Sequence, residues 1–468
     1  MRLRKLLLIG CVTTMIVASV LTGCGNGNKA SKNDGGSGSA SEGKKSKKLN
    51  LPANLDVELM SRSEERNYDG VWTYCILDGK YIEIVKYAAP DKETVEEIVI
   101  PDEIEGMPVI SLWQYAFVYC QHLKSIEIPD NVIYIGEYAF EECRSLSEIK
   151  LSDSLRAMGE HVFSDCVALK KVEFPSTMME ISEDLFDGCI NLTEVSISEG
   201  TIKICKGAFA GCENLSKIEI PASVTELGSY VFSGCTSLKE IEIPDTVIAF
   251  RNGIFAGCTN LTKVKLPQSV TSLNDTFSGC SSLTSVEIPE GVTVIGEDAF
   301  SECSSLSTLK LPAGVTSIGE NAFSGCTALT EMELPAGVTS IGAYAFSGCT
   351  ALTEMELPAG ITSIGEEAFR DCSSLVALEL PVGITEIGDS TFSGCSSLSN
   401  MVIPEGVIQI GSSVFQDCSN LSSITIPESV DDMGTDIFEG CNQVVVRVKA
   451  ESYAQYHIAY TGIEYETY

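Results

Sequence analysis

The sequence contains few of the side chains on which most catalytic sites depend. It has only 3 histidines, His122, His161 and His457, in 468 residues. A Ser/His/Asp or Cys/His site needs a base that a third group orients in a cleft, and no such motif flanks any of the three. The sequence also lacks a glycine-rich phosphate loop and a C-x-x-C zinc pair. We therefore predict that the protein is not an enzyme and holds no metal cofactor in a dedicated site.

Basic residues are scarce as well. There are 31 lysines and arginines against 65 aspartates and glutamates, which gives a formal net charge of −34. Residues 1–24 carry +3 and residues 25–50 carry +4, so the remaining 418 residues carry −41. Such a body repels a phosphate backbone, which disfavours nucleic-acid binding. Basic partners and divalent cations are the electrostatically favoured ligands.

The N-terminal segment has features of an export signal. Residues 1–24 combine a basic start, an apolar run too short to span a membrane, and small residues. Leu21-Thr22-Gly23-Cys24 resembles the lipobox of bacterial lipoproteins, which implies lipidation of Cys24 and anchoring to the membrane on the cell-surface side. Ordinary signal cleavage, giving a freely secreted protein, is the alternative. Residues 25–50 are rich in Gly, Ser and Lys and predict a disordered tether.

A 23-residue repeat occupies most of the remaining chain. Phe precedes Cys by three residues fifteen times, from Phe117/Cys120 to Phe438/Cys441. Successive cysteines of this set are 23 residues apart, except Cys258 and Cys280, which are 22 apart. One block cannot bury its apolar face alone, whereas stacked blocks bury a continuous one. The sequence therefore predicts a solenoid.

Blocks 312–334 and 335–357 are nearly identical and show what each position of the repeat does. Met332 is expected to point inward from a strand, with Glu331 and Glu333 outward. Gly319 is predicted to be a turn residue with φ > 0. The run ENAFSGC, too short for a stable helix, predicts one helical or 3₁₀ turn that brings its phenylalanine into the core.

The spacing L-x-x-I-x-I-P…I-G-x-x-A-F-x-x-C resembles the BspA-like leucine-rich repeats of bacterial surface proteins, over about residues 95–445. The resemblance implies a leucine-rich-repeat solenoid, mainly parallel β-sheet with short helical or 3₁₀ turns, in a curved right-handed coil. It also implies a role in attaching cells to host matrix proteins or to other cells. We assign residues 101–441 to about 15 such repeats, with their strands in one parallel sheet.

Both ends of the array are expected to be capped. Residues 51–100 contain VWTYCILDGKYIEIVKY, whose alternation around Asp78-Gly79 predicts a β-hairpin that covers the first repeat. Residues 442–468 lose the repeat. Their near-helical tyrosines predict a closing lid and are Tyr453, Tyr456 and Tyr460.

The 19 cysteines are interpreted as core residues. Fifteen lie in register, and the others are Cys11, Cys24, Cys75 and Cys205. A repeated inward position gives parallel rather than opposed side chains, which disfavours disulfides. Free cysteine behaves as a small buried hydrophobe, so we predict a column of buried thiols. Cys205 takes the turn-glycine position of its repeat, from which it could reach a neighbouring repeat.

The outward strand positions form two rows of charged residues. Glu242, Lys265, Glu287, Lys310 and Glu333 alternate in sign along one row. Opposite charges on neighbouring strands satisfy one another. The alternation then fails, leaving five glutamates with no lysine beside them in either row. These are Glu331, Glu333, Glu354, Glu356 and Glu379.

We call these five residues the glutamate patch. One interpretation is a binding site for a basic protein surface or for Ca²⁺. The other is that duplication of an acidic block placed the glutamates together and nothing binds there.

The repeat that ends at Cys280 departs from the pattern. It lacks one residue and the turn glycine, and the repeat before it has Arg251 at the glycine position. We predict a kink or bulged edge between residues 247 and 277, with a change in the curvature of the solenoid.

The leading function is a surface-exposed, monomeric lipoprotein that binds a protein or polymer ligand along the solenoid. An envelope spacer protein and a glycan-binding lipoprotein are the alternatives. Glycan binding would favour aromatic side chains on the outward strand positions, and those rows are nearly free of them.

Overall fold

The computed structural model describes residues 49, 51–90 and 92–468. The predicted export signal with Cys24, and the predicted tether apart from Leu49, lie outside the described residues. Within these residues the chain forms a parallel β-solenoid of about 17 turns with little helix. The one α-helix of the described residues is Tyr453–Thr461.

Each regular repeat contributes two strands rather than one, and stacking them produces two parallel ladders. The outward glutamates and lysines lie on ladder A. Its strands are Glu97–Val99, Ser125–Glu127, Glu148–Lys150, Lys171–Glu173, Glu194–Ser196, Glu240–Glu242, Lys263–Lys265, Glu331–Glu333, Glu354–Glu356, Asn400–Val402, Ser423–Ile426, Val445–Val448 and Tyr465–Thr467. The structure therefore adds to the predicted single sheet a second ladder, which comes from the segment before the turn.

Ladder B consists of two-residue strands. They are Tyr134–Ile135, Ala157–Met158, Glu180–Ile181, Lys203–Ile204, Glu226–Leu227, Ala249–Phe250, Ser272–Leu273, Val294–Ile295, Ser317–Ile318, Ser340–Ile341, Ser363–Ile364, Glu386–Ile387, Gln409–Ile410 and Asp432–Met433. Both ladders are interrupted in places, so hydrogen bonding divides them into several short sheets.

The turn between the two ladders does not form a helix, because its backbone amides bond to the next repeat rather than within the turn. In block 312–334 the backbone N–H groups of Asn321, Phe323 and Gly325 donate to carbonyls of the next repeat at 2.8–3.0 Å. Asn321 and Gly325 have positive φ, 52° and 72°, which turns alternate amides outward along the stack. The predicted helical or 3₁₀ turn is a series of hydrogen-bonded turns, because these amides bond to the neighbouring repeat.

The repeated glycine of the I-G dipeptide has a different role from the one predicted. Gly319 does not have positive φ, so the predicted left-handed turn at this position is wrong. A Cβ on Gly319 would lie 2.5 Å from the carbonyl carbon of Gly296 and 2.7 Å from the nitrogen of Glu297. The glycine is needed because successive backbones approach closely here.

The core consists of columns of identical side chains. Fifteen buried phenylalanines, from Phe117 to Phe438, stack with ring centroids 5.1–6.1 Å apart. Burial of such rings dominates the stability of a core. Met332 is buried between the exposed Glu331 and Glu333, as predicted.

The cysteines form a second buried column. Each thiol from Cys143 to Cys441 donates a hydrogen bond to the carbonyl of the phenylalanine one repeat earlier, with Sγ–O distances of 3.0–3.4 Å. The cysteines of the described residues are free thiols. Burial raises the pKa of the thiols inside the column, to about 12 for Cys303 and Cys349.

The N-terminal cap contains the predicted hairpin. Strands Trp72–Leu77 and Tyr81–Tyr87 pair antiparallel, with Arg66–Tyr68 on the outer edge. Asp78 and Gly79 both have positive φ, which is the conformation that the turn requires. Strand Met107–Leu112 pairs with Tyr81–Tyr87 and with Glu103–Ile104. It also pairs in parallel with Tyr134–Ile135, the first strand of ladder B.

The C-terminal segment closes the solenoid differently from the predicted tyrosine lid. The helix Tyr453–Thr461 is capped by Ser452, whose side chain accepts from the N–H of Gln455, and by Gly462 with φ 77°. Its buried residues are Ala454 and Ile458. The tyrosines face outward, with exposed fractions of 45%, 61% and 92% for Tyr453, Tyr456 and Tyr460. Small and aliphatic residues make the contact instead of the aromatic rings.

The irregular repeat distorts the structure where the sequence indicated. Ladder B is interrupted between Ala249–Phe250 and Ser272–Leu273, and a cavity of about 220 Å³ opens between these strands. The rings on either side of Phe277 are rotated by 18° and 17°, whereas no other pair in the phenylalanine column exceeds 11°. The missing residue is therefore accommodated at one edge. The predicted change of curvature stays a prediction.

Candidate binding surface

The register of ladder A places the outward rows side by side. Glu240 lies opposite Lys263, and Glu242 opposite Lys265, with Lys265 and Glu242 forming an ion pair. Nearer the N-terminal end of ladder A, Lys171 contacts Glu173 at 2.8 Å and Glu194 at 3.6 Å. These pairs are exposed, so each contributes little, but together they remove like-charge repulsion.

The glutamate patch forms no such ion pairs among the described residues, although Lys310 lies one repeat before Glu333 in the same row. Glu331 lies opposite Glu354, and Glu333 opposite Glu356, on two neighbouring strands. Glu354 also forms a bridge with Ala377, which brings the exposed Glu379 onto the next turn. Within the described part of the chain, these five glutamates take part in no ion pair of the kind that lysines make elsewhere on ladder A. The structure thus brings the predicted residues together on one exposed face.

The patch is not arranged as a calcium site. Among the described residues, no group of three or more His, Cys, Asp or Glu side chains is placed to hold a metal ion. Ca²⁺ requires six to eight converging oxygen ligands, whereas strand carboxylates point outward in parallel. The patch therefore offers a negative field to a partner rather than a coordination shell.

The remaining residues singled out by sequence lie apart from the patch. His122 and His161 are in repeat turns and His457 is in the C-terminal helix. The Cys205 thiol reaches the neighbouring repeat, where it donates to Glu180 Oε1 at 2.8 Å. Burial and this carboxylate raise the pKa of Cys205 to about 12, so it is a poor nucleophile.

An aromatic column on the turn face was missed by the sequence reasoning. Tyr115, Tyr138 and His161 occupy the same turn position in three successive repeats, and each has positive φ. Their rings stack with centroids 5.0 and 4.9 Å apart. The signal in the sequence was their 23-residue spacing, which a search restricted to the outward strand positions does not detect.

Of the residues that the structure describes, none belongs to a helix long and apolar enough to cross a membrane.

Comparison with known protein families gives one match. The model of the BspA type leucine rich repeat region matches residues 110–238, 202–330 and 316–445, with 6 copies of the repeat. These overlapping matches extend over most of the chain between the two caps. No protein with a curated description matches the sequence.

Solved structures of bacterial leucine-rich repeat proteins are similar to the chain. One from Bacteroides ovatus is 24% identical, covers 89% of this chain and 100% of its own, and has a TM-score of 0.55. A leucine rich cell surface protein from Faecalibacterium prausnitzii is 26% identical, with coverage of 84% and 96% and a TM-score of 0.45. The first similarity supports the solenoid fold.

Proposed function

Since the chain belongs to the BspA-type leucine-rich repeat family, we propose that it is a bacterial surface lipoprotein, anchored through Cys24, whose solenoid binds a macromolecular partner in adhesion to host matrix proteins or to other cells. A protein-binding role and an exported location follow from the family. The adhesive role, the partner and the lipid anchor are the parts that we propose.

One observation carries the binding proposal. The solenoid leaves the glutamate patch exposed and without cationic partners, although lysines satisfy the same rows elsewhere. The core columns do not require glutamate at these positions, because the side chains point away from them. A rigid acidic surface on an extended array fits a basic protein surface better than a small-molecule substrate.

The test is direct binding. The purified full chain is incubated with a panel of matrix proteins, mucins and glycans, with and without Ca²⁺. We expect saturable binding to a protein with a basic surface, weakened by salt. Binding to glycans alone would support the glycan-binding alternative, and binding to nothing would support a spacer that holds its two ends apart.

The patch is tested by charge reversal. The double variant Glu333→Lys/Glu356→Lys should weaken binding, whereas Glu219→Lys/Glu242→Lys makes the same charge change in the same outward row of other repeats. Equal binding by both variants and by the parent chain would remove the patch from the proposal.

The anchor is tested separately. In bacteria that process lipoproteins, the parent chain should partition into detergent and incorporate labelled fatty acid, and Cys24→Ser should do neither. Light scattering of the purified chain checks the expected monomer.

A further inference from the structure

A second surface of the solenoid, at its N-terminal end, carries a stack of aromatic rings, in which His161 Nε2 lies 3.7 Å from Asp184 Oδ2. Tyr115 and Tyr119 are 45% and 54% exposed, and the stack of Tyr115, Tyr138 and His161 lies beside them on the turn face. We call these four side chains the N-terminal aromatic surface. It belongs neither to ladder A nor to the glutamate patch.

Tyrosines at the same turn position in other repeats are held by hydrogen bonds. The Tyr230 hydroxyl donates to Asp275 Oδ2 at 2.9 Å, and its ring lies where Gly253 leaves space. The Tyr344 hydroxyl donates to Glu367 Oε1 at 3.2 Å. Within the described chain, the hydroxyls of Tyr115 and Tyr138 have no such partner. The exposed phenol of Tyr115 and the partly buried phenol of Tyr138 are therefore free to bind a ligand.

A cavity adjoins the aromatic surface. It has a volume of about 190 Å³ and opens between the N-terminal cap and the first repeats. Its walls are aromatic and acidic, and they include Trp113, Tyr134, Glu58 and Glu137. Glu137, which lines the cavity together with Arg62, is adjacent in sequence to Tyr138 of the stack.

This cavity already contains an example of cation recognition. The Arg62 guanidinium lies 4.3 Å from the centre of the Trp113 ring and forms a two-point ion pair with the buried Glu83, at 2.8 and 3.3 Å. Ser111 donates to the same carboxylate at 3.0 Å. Arg62 is therefore fully engaged within the cap and leaves Glu58 and Glu137 unneutralised.

The charge around the rings is also unbalanced. Glu137, Glu141 and Glu160 flank the stack, and none of them forms an ion pair with a lysine or arginine of the described residues. The nearby cations are engaged elsewhere, Arg144 with Glu142 and Lys206 with Glu183. Partial burial, reinforced by neighbouring carboxylates and opposed by His161, raises the pKa of Glu141 and Glu160.

We propose that the N-terminal aromatic surface, with the adjoining cavity and its glutamates, binds a lysine- or arginine-rich peptide segment of a protein partner. Ammonium and guanidinium groups are attracted to the negative faces of aromatic rings and to carboxylates. One basic side chain reaches Glu137 at the cavity, and its neighbours lie against the exposed Tyr115 and the carboxylates of Glu141 and Glu160. The inference rests on the proposed protein-binding function and adds a location and a partner chemistry.

The experiment measures the binding of fluorescein-labelled decalysine and decaarginine to the full chain by fluorescence anisotropy, with decaglutamate as the negative probe. We expect saturable binding of both basic peptides and none of the acidic one. Tyr115→Ala/Tyr138→Ala should weaken binding by about tenfold, from the typical strength of partly exposed cation–π contacts. Tyr115→Phe/Tyr138→Phe keeps the rings and should lose only the smaller hydroxyl contribution.

A matched charge control separates a site from general acidity. Glu137→Gln/Glu141→Gln/Glu160→Gln and Glu386→Gln/Glu405→Gln/Glu428→Gln each remove three negative charges from the same solenoid, and the second set lies outside both the aromatic surface and the glutamate patch. The first variant should weaken binding by about tenfold or more and the second by less than twofold. Equal losses, or full binding by the tyrosine-to-alanine variant, would overturn the proposal.

The result of the decapeptide experiment can be distinguished from that of the binding test with matrix proteins, mucins and glycans. Decalysine binding at this surface without any protein partner would leave the site intact and remove the proposed adhesion. A protein partner whose binding is insensitive to all of these variants would do the reverse.

Discussion

The duplicated blocks 312–357 and the shortened repeat around 267–280 deviate from the ideal repeat in opposite places. In the duplicated blocks the interior is regular, with Phe323 and Phe346 5.3 Å apart and 10° from parallel, while the exterior carries the unpaired glutamate patch. Beside the shortened repeat, Glu242 and Lys265 form an ion pair on the outer surface, while the hydrogen bonding of ladder B is interrupted.

The difference shows that the core columns and the outward rows are independent of one another. Both regions keep their cysteine hydrogen bond, at 3.2 Å for Cys280 and 3.2 Å for Cys349. The lost residue lies between ladder B and the turn, and there the chain can shorten without displacing a core side chain. The charges of the outward rows can change sign or lack an opposite partner, because these side chains make no contact with the core.

The largest expected effect concerns the thiol column that both regions share. Burial raises the pKa of Cys349 from 9.0 to about 12, so deprotonation is more favourable in the unfolded chain. Stability from this group is complete below about pH 9 and is lost as the pH rises towards 12. Each such thiol lowers the free energy of unfolding by about 1.4 kcal/mol per pH unit in this window. A column of them should therefore make the protein unfold steeply at alkaline pH.

Circular dichroism across pH 7–11.5 measures this transition. Cys326→Ala/Cys349→Ala should make the pH dependence shallower, because two titrating groups are removed. Unchanged secondary structure at pH 11.5 would show that the column is not protonated and buried as described.

The second expected effect tests the close approach in the regular blocks. A Cβ on Gly342 would lie 2.5 Å from the carbonyl carbon of Gly319, whereas one on Gly314 would have its nearest neighbour at 3.6 Å. Gly342→Ala should therefore lower the free energy of unfolding by about 1–3 kcal/mol through overpacking. Gly314→Ala should change it by less than about 0.5 kcal/mol, and urea denaturation compares the two. Equal effects would mean that close approach is not the reason for the glycine.

The third test repairs the shortened repeat. Insertion of one glycine between Leu273 and Asn274 restores the 23-residue spacing and the I-G dipeptide pattern. Ladder B should then close between Phe250 and Leu273, with a gain of about 0.5–1.5 kcal/mol for each new hydrogen bond. Hydrogen exchange of the Thr271 and Ser272 amides should slow. Faster or unchanged exchange would show that the opening has another cause.

The smallest expected effect lies on the outside of the duplicated blocks. Glu354→Lys places a cation opposite Glu331 and should stabilise the chain by about 0.2–1 kcal/mol at low salt, because it replaces a like-charge pair. Lys263→Glu should destabilise the chain by a similar amount, because it faces Glu240. Both effects should diminish in high salt. Stabilisation by both variants would contradict the pairing of the rows.

Much of this structure could be predicted from the sequence because the repeat states each constraint many times. The phenylalanine and cysteine columns follow from their fixed 23-residue spacing, and the N-terminal hairpin follows from Asp78-Gly79 between alternating strands. The grouping of the glutamate patch followed from strand register alone, because a constant period fixes which residues become neighbours.

Other features depended on contacts that a linear pattern does not contain. The role of Gly319 is steric and arises from the backbone of the previous repeat. The tyrosines of the C-terminal helix face outward because Ala454 and Ile458 make the closer contact with the last strands. The stack of Tyr115, Tyr138 and His161 exists because left-handed turn positions superimpose in successive repeats.

The sequence by itself determined the period, the inward columns and the charge of each outward row, because a solenoid repeats one local decision at constant spacing. The tertiary structure alone decided that each repeat makes two ladders, that the turns bond forward to the next repeat, and that a cavity opens between the cap and the first repeats. These are properties of the distance between neighbouring backbones, and that distance is set only when the repeats stack.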